Sequence, residues 1–239
     1  MIWLLLVSIV WAFSFGLIKG RLTGIDPSLV ACIRVLLALL VFLPFFRPRG
    51  LRGRDALTLV AIGAVQFGLM YVAYIASFRQ LAAYEVVVMT IFTPLFVSLL
   101  AEGPGRAWRA WSLPAAAVAT VGAGIVVMGR PLESVPWTGV GLIQLSNIAF
   151  AAGQVAYRKW KHKHAGVSDA RVFALLYAGA VLATLPWALP AIGTIPSIDT
   201  GQWLTLLYLG VIASGLCFFL WNFGAARTAA GPLAGGEQP

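Results

Sequence analysis

Two ionisable residues lie in or beside long apolar runs, where a charge is costly and marks a candidate functional site. Arg34 lies eight residues into the run that begins at Pro27, which places it roughly 10–12 Å along a helix that rises 1.5 Å per residue. A guanidinium there is suited to binding a substrate carboxylate through two hydrogen bonds. The alternative is a structural role, in which Arg34 pairs with a carboxylate of the protein or caps backbone carbonyls.

Glu85 lies at the start of another apolar run. It is predicted to lie near the same side of the membrane as Arg34. One interpretation is a direct ion pair with Arg34, and another is a carboxylate that carries a coupling proton. The third is an interfacial glutamate near Arg79. Lys19, at the end of the first apolar run, is predicted either to extend to lipid headgroups or to lie at the mouth of a cavity.

Polar and aromatic residues recur at helical spacing on four of the apolar runs. Trp11 and Ser14 share a helix face, and so do Asn147 and Gln154, which are seven positions apart. A substrate cavity needs mostly apolar walls with a few oriented polar groups, whereas packed contacts between helices use the same residue types. Both interpretations stay open. The cavity candidates besides Arg34 and Glu85 are Trp11, Ser14, Tyr71, Tyr74, Asn147, Gln154, Tyr157, Trp221 and Asn222.

The composition indicates a polytopic, all-α membrane protein. Hydrophobic residues make up 60% of the chain and charged residues 10%, with a mean hydropathy of +0.90, whereas soluble domains carry about 25% charged residues. A bilayer core needs about 20 apolar residues per helix. Eight runs meet that length approximately: Ile2–Ile18, Pro27–Phe46, Ala56–Phe78, Val86–Ala101, Trp111–Met128, Trp137–Tyr157, Val172–Ile192 and Trp203–Ala226.

Pro94 lies near the middle of the short fourth run. Proline lacks a backbone N–H and clashes with the preceding turn, so a kink is predicted there. Bent helices at membrane depth are tolerated where they face protein or a cavity. The fourth run is therefore a candidate cavity wall, with an ordinary membrane-helix proline as the alternative.

Basic residues are distributed unevenly between the loops. Twelve of the 17 Lys and Arg residues follow even-numbered runs, four lie on the opposite side, and Arg34 lies within a run. This bias predicts a cytoplasmic N-terminus in a bacterial inner membrane. The net charge of +9 is then explained by loops at anionic lipid, and no nucleic acid is expected as a partner. His162 and His164 do not share a helix face, so no metal site and no cofactor are predicted.

Two pairs of segments resemble each other along the chain. "YVAYIASFRQLAA" at 71–83 matches "FFLWNFGAARTAA" at 218–230, and "WAFSFGLIK" at 11–19 matches "FAAGQVAYR" at 150–158. Chance is an alternative for such short matches. Five runs separate the members of each pair, and an odd number inverts the second copy, as in many transporters. The predicted plan is a five-helix repeat at 1–130, an incomplete repeat at 137–230 and a non-helical tail at 231–239. That is eight helices of a ten-helix plan, with a true eight-helix protein as the alternative.

Several segments, in this order and spacing, resemble the EamA type of the drug/metabolite transporter superfamily. They are "VWAFSFGLIKG", "DPSLVACIRVLLALLVFLPF", "TIFTPLFVSLLAEG", "GAGIVVMG" and "LSNIAFAAGQVAYRKW". The resemblance implies ten helices in two inverted repeats and the movement of small metabolites, often amino acids. This chain departs from the pattern in lacking the last two helices.

We therefore expect a transporter that moves a small amino acid or carboxylate by alternating access, in the efflux direction. The expected partners are a small-molecule substrate and the lipid bilayer, and a homodimer is compatible with such folds. One alternative is a truncated, non-transporting fragment or a membrane scaffold. An intramembrane enzyme is disfavoured because the runs lack a Ser/His/Asp set, a His cluster or paired carboxylates.

Overall fold

The regular structure of the described residues is entirely helical. The computed structural model describes residues 2–48, 50–102, 118, 121 and 136–227. Short 3₁₀ segments, Leu43–Phe45 and Leu189–Ser197, follow two of the helices. The α-helices are α1 (Ile2–Arg21), α2 (Pro27–Phe42), α3 (Gly53–Gly63), α4 (Met70–Ser77), α5 (Ala83–Thr90), α6 (Thr93–Glu102), α7 (Trp137–Lys163), α8 (Asp169–Ala188), α9 (Thr200–Leu207) and α10 (Cys217–Arg227).

Six helical segments of the described chain are long and apolar enough to cross a membrane. Each agrees within a few residues with a predicted run, and α1 covers the first predicted run without being one of the six. The fifth run, Trp111–Met128, and the tail lie outside the described residues apart from positions 118 and 121. The eight-helix count, the ten-helix plan and the domain bounds stay predictions. The six segments are Pro27–Phe45, Gly53–Ser77, Ala83–Ala101, Trp137–Lys163, Asp169–Ser197 and Thr200–Ala226.

Local sequence signals explain where several helices begin. Asp26 precedes α2, and its carboxylate accepts hydrogen bonds from the backbone N–H of Ser28 at 2.9 Å and of Leu29 at 3.4 Å. Asp199 caps α9 in the same way by accepting from the Gln202 N–H at 2.8 Å. Such caps satisfy backbone donors that have no partner within the helix. Both helices therefore start at the first residue after an aspartate.

The predicted kink in the fourth run is confirmed. α5 ends at Thr90 and α6 begins at Thr93, so the helix is interrupted just before Pro94. The backbone N–H of Ile91 turns back to the Val88 carbonyl at 3.2 Å, three residues earlier. Proline cannot donate to the preceding turn and crowds its carbonyl. The interruption divides this segment into two short helices.

Two continuous segments contain a π-helical stretch in the middle. Ala64–Leu69 joins α3 to α4, and Tyr208–Leu216 joins α9 to α10. α3 and α9 begin 147 positions apart, and so do α4 and α10. This is the offset that relates the segments at 71–83 and 218–230 in the sequence. The sequence match therefore extends to the backbone, as an internal repeat requires.

Each of these two segments crosses a helix of the other half at a glycine. A Cβ on Gly63 would lie 1.8 Å from the backbone oxygen of Leu176 in α8. A Cβ on Gly210, which is 147 positions later, would lie 2.6 Å from Cδ1 of Leu37 in α2. Membrane helices associate closely where small residues let their backbones approach. Glycine at both crossings brings the central helices together around the site.

Candidate functional site

A cavity of about 450 Å³ lies between α1, α2, α4, the bent α5–α6 segment, α7 and α10. Its walls are mainly aromatic and aliphatic, and its volume is in the range of small-molecule sites. Thr90, Thr93 and Pro94 contribute to it, so the kinked segment forms a cavity wall. Eight of the eleven predicted site residues line the cavity: Trp11, Ser14, Arg34, Tyr71, Tyr74, Asn147, Gln154 and Trp221.

Arg34 is the one charged residue among the described residues of the cavity wall, and it is only 2% exposed. Its Nη2 donates to the Tyr71 hydroxyl at 3.0 Å, and its Nε donates to Ser214 Oγ at 3.2 Å. Its Nη1 is buried and has no hydrogen-bond partner among the described residues. A buried donor without a partner is costly, more so on a charged group. The guanidinium is therefore held in place by two of its nitrogens and retains a free donor at a third.

The hydroxyl groups around Arg34 form a closed hydrogen-bond network. Ser214 Oγ donates to the Leu209 carbonyl at 2.7 Å, five residues earlier in the π segment. Its only proton is thereby used, so the Tyr71 hydroxyl is the donor in the 2.7 Å bond between Tyr71 and Ser214. Ser214 accepts from both Arg34 and Tyr71. The network joins α2, α4 and the second π segment.

Carbonyl oxygens of the second π segment are bound by side chains from other helices. The Tyr177 hydroxyl donates to the carbonyls of Ser214 at 2.5 Å and Gly215 at 3.1 Å. Trp11 Nε1 donates to the Ala213 carbonyl at 3.0 Å. A π-helical stretch leaves backbone groups out of the regular ladder, and buried backbone groups need partners. These bonds hold Ser214 beside Arg34.

Aromatic rings from the two halves of the chain meet on the other walls of the cavity. The Trp11 ring lies 4.9 Å from Phe218 and 5.2 Å from Trp221. Phe150 lies 5.6 Å from Phe218. Tilted and edge-to-face rings at such distances attract each other beyond the effect of burial. The cluster forms a wall with fixed ring planes, suited to the flat faces of an apolar ligand.

Relatives of the chain carry consistent names. The model of the EamA-like transporter family matches residues 1–129. Biotin transporters of Salmonella typhimurium and Escherichia coli K12 are 37% and 36% identical to the chain over 233 residues, and the matches cover 96% of this chain and 77% of each relative. A probable biotin transporter of Pseudomonas aeruginosa is 40% identical over 241 residues, which cover 97% of this chain and 82% of the relative.

The chain belongs to the EamA-like transporter family. A solved crystal structure also matches it with a TM-score of 0.63, at 17% identity, over 95% of this chain and 79% of that one. This likeness shows the fold alone. The chain is thus a multi-pass membrane transporter, which is what the sequence resemblance implied. The relatives are named biotin transporters, so their names support neither the expectation of amino acids as substrates nor the efflux direction.

Glu85, for which the sequence left three interpretations open, caps the start of α5 in this EamA-like transporter. It is 4% exposed, and its Oε2 accepts from the Ala82 backbone N–H at 2.7 Å, at the start of α5. It does not line the cavity. The predicted ion pair with Arg34 is wrong, because Arg34 donates to Tyr71 and Ser214 instead. Arg79 pairs with Asp26 at 2.9 Å.

Tyr157 and Asn222 also lie outside the cavity wall. The Tyr157 hydroxyl donates to Asp169 Oδ1 at 2.6 Å, and Asp169 lies 3.4 Å from the Lys161 ammonium. This cluster closes the junction between α7 and α8. Asn222 Oδ1 accepts from Gln66 Nε2 at 3.0 Å, and both residues are at most 1% exposed. Gln66 and Asn222 therefore pack in the protein core and not in the cavity wall.

Asn147 and Lys19 connect helices. Asn147 lines the cavity, and its Nδ2 donates to the Met89 carbonyl at 2.8 Å while its Oδ1 accepts from Thr93 Oγ1 at 3.2 Å. It thus bridges both sides of the kink to α7. Lys19 donates to the carbonyls of Phe78 at 2.6 Å and Leu81 at 3.2 Å. Neither prediction for Lys19 describes this role at the end of α4.

Ser214, Phe150 and Phe218 are site residues that the list of candidates lacks. The two phenylalanines line the cavity, and the repeat had already aligned Phe150 with Trp11 and Phe218 with Tyr71. The repeat match was therefore a usable signal for them. Ser214 lies in an apolar stretch, and its partner Arg34 is 180 positions away, so no local pattern indicates its role.

Proposed function

We propose that this chain transports biotin, and that Arg34 binds the biotin carboxylate within the cavity. The observation that carries the proposal is the free Nη1 of a buried guanidinium in the wall of an aromatic cavity. The names of relatives that are 36–40% identical to the chain supply the candidate substrate. The carboxylate class expected from Arg34 is retained, since biotin carries a carboxylate.

The chemistry of biotin is complementary to this cavity. The molecule has an anionic carboxylate at the end of an aliphatic chain and a compact bicyclic ring at the other end. Nη1 of Arg34 is a charged donor for the carboxylate, and a charge-assisted bond of this kind is roughly twice as strong as a neutral one. The rings of Trp11, Phe150 and Phe218 pack against the aliphatic chain.

The two halves supply a plausible route for alternating access. The matching helix starts and π segments support a repeated architecture, and transporters with inverted repeats place their substrate site where the repeats meet. Tyr71 and Tyr74 line the cavity from one segment and Phe218 and Trp221 from its counterpart, which supports a site between the two repeats. Rocking of one half against the other would open the site to alternate sides of the membrane.

The test measures labelled biotin with the purified chain, as binding in detergent and as transport in proteoliposomes. We expect saturable binding and transport by the wild-type chain. Arg34→Gln should weaken binding by about 10- to 100-fold, because hydrogen bonds to charged groups contribute about 1.5–3 kcal/mol. Arg34→Lys keeps the charge and should retain part of the affinity.

Absence of biotin transport by the wild-type chain, with or without binding, would exclude the proposal. Unchanged affinity in Arg34→Gln would exclude the role of Arg34 while leaving biotin as substrate. Loading biotin inside or outside the vesicles measures the direction of movement, including the expected efflux. Purified empty vesicles are the control for passive leakage.

A further inference from the structure

Two more buried polar atoms of the cavity have no hydrogen-bond partner among the described residues. They are Oε1 of Gln154 and Nε1 of Trp221, and both side chains line the same cavity as Arg34. Buried polar groups in native proteins are bonded in the great majority of cases. An acceptor and a donor left open in a ligand-sized cavity therefore indicate groups that a ligand satisfies.

Three other polar side chains of the cavity wall differ from these two. The indole N–H of Trp11 donates to the Ala213 carbonyl, and Ser14 Oγ donates to the Val10 carbonyl at 2.9 Å. The Asn147 amide is bonded to Met89 and Thr93. Such side chains have their capacity used by the protein itself. Gln154 and Trp221 are thus distinguished from their neighbours by bonding and not merely by position.

Helical spacing indicates that Gln154 and Trp221 lie away from Arg34 along the cavity. Trp221 comes seven residues after Ser214, the partner of Arg34, which corresponds to roughly 10 Å along a helix. The Trp221 ring lies 6.4 Å from that of Phe150, and Gln154 follows Phe150 by one helical turn on the same face of α7. A ligand bound to Arg34 at one end would reach Gln154 and Trp221 at the other.

We propose that Gln154 and Trp221 form a second, neutral subsite that binds a cyclic urea or amide. The Trp221 N–H donates to the carbonyl oxygen of that group, and Gln154 Oε1 accepts from its N–H. This inference rests on the proposed function and deepens it, because the ureido ring of biotin presents a carbonyl beside N–H donors. The Trp11 and Phe150 rings flank the subsite and exclude water from these bonds.

The two subsites predict a substrate preference. A site built to bind a polar group rejects analogues that lack it, because its own buried groups then stay without partners. Lipoate has a carboxylate and no urea, biotinol has the urea and no carboxylate, and desthiobiotin keeps both without the sulfur. Desthiobiotin should compete with labelled biotin almost as well as biotin itself, and the other two should compete more weakly.

The experiment crosses these ligands with substitutions in the full chain. Trp221→Phe keeps an aromatic ring and removes the N–H, and Gln154→Met keeps the length and removes the amide. Each should weaken binding of biotin and biotinol by about tenfold, the effect of one buried hydrogen bond, and leave lipoate unchanged. Arg34→Gln should weaken biotin and lipoate and leave biotinol unchanged. Trp187→Phe, at an indole that is 66% exposed on α8, is the matched control.

The outcomes separate this inference from the proposed function. If Trp221→Phe and Gln154→Met weaken lipoate as much as biotin, the residues only shape the cavity and the subsite is overturned, while biotin transport stands. If the wild-type chain binds biotinol through these residues and does not transport biotin, the subsite is supported and the proposed function fails. Unchanged biotin affinity in both variants also overturns the subsite.

Discussion

The π segments Ala64–Leu69 and Tyr208–Leu216 occupy matching positions in the two halves of the molecule. The first presents the buried Gln66, whose amide donates to Asn222. The second presents the buried Ser214, which accepts from Arg34 and Tyr71. The matched backbones thus hold unlike polar side chains. The two halves can therefore share a π-helical backbone while, of the two described π segments, only the second accepts a hydrogen bond from the charged residue Arg34.

The two glycine crossings also occupy matching positions but differ in the atoms that they approach. Gly63 approaches backbone atoms of Leu176, whereas Gly210 approaches only the side chain of Leu37. A Cβ on Gly210 would lie 2.6 Å from Cδ1 and 2.7 Å from Cβ of Leu37. A rotamer change can move Cδ1, whereas Cβ is fixed by the backbone of α2, so the second crossing also requires a shift of a helix. That shift is smaller than the one required by the 1.8 Å approach to backbone at Gly63. The first crossing should therefore tolerate a methyl group less than the second.

The largest expected effect separates these two crossings. Gly63→Ala should prevent assembly of α3 on α8 or destabilise it by more than the usual 1–3 kcal/mol of overpacking, and Gly210→Ala should stay within that range. The measurement is the yield of monodisperse protein and its Tm in detergent. Gly16→Ala, with open space around its Cβ position, is the control. Equal losses at Gly63 and Gly210 would contradict the difference between the crossings.

The next effect distinguishes the polar residues of the two π segments. Ser214→Ala removes an acceptor from Arg34 and from Tyr71, so we expect biotin affinity to fall about 5- to 30-fold. Gln66→Leu leaves Asn222 Oδ1 without its donor and should lower the unfolding free energy by about 1–3 kcal/mol. Its biotin affinity should stay unchanged, because Gln66 does not line the cavity. Binding isotherms and Tm values measure both. If both variants lost biotin affinity, or both lost only stability, the two π segments would not differ in supporting the binding site and the fold.

The smallest effect concerns the support of the second π segment. Tyr177→Phe removes the hydroxyl that donates to the Ser214 and Gly215 carbonyls. We expect a loss of about 1–2 kcal/mol, which corresponds to a Tm decrease of a few degrees for a chain of this size. Tyr84→Phe, at a tyrosine that is 58% exposed, should leave Tm unchanged. Equal Tm values in the two variants would show that the π segment does not depend on this hydroxyl.

The sequence by itself determined the helical membrane architecture, and eight of its eleven candidate residues line the cavity. Runs of about 20 apolar residues and the position of Pro94 are local patterns, and membrane insertion and helix kinking follow from local chemistry. The repeat offset is also visible in the sequence, and the glycines shared by "GAVQFGL" at 63–69 and "GVIASGL" at 210–216 follow it. Periodicity placed eight candidates on the cavity because polar residues on one helix face tend to share surroundings.

Only the tertiary structure decided which polar groups pair. Arg34 and Ser214 are 180 positions apart, and Gln66 and Asn222 are 156 apart, so their meeting depends on how closely helices cross at Gly63 and Gly210. For the same reason the sequence left three interpretations of Glu85 open, and only the structure shows that its carboxylate caps the start of α5 at Ala82. A hydrogen bond requires its donor and acceptor atoms to lie within about 3 Å of each other. Helix periodicity predicts the face of the helix on which a residue lies, but it does not predict which residue of another helix it contacts.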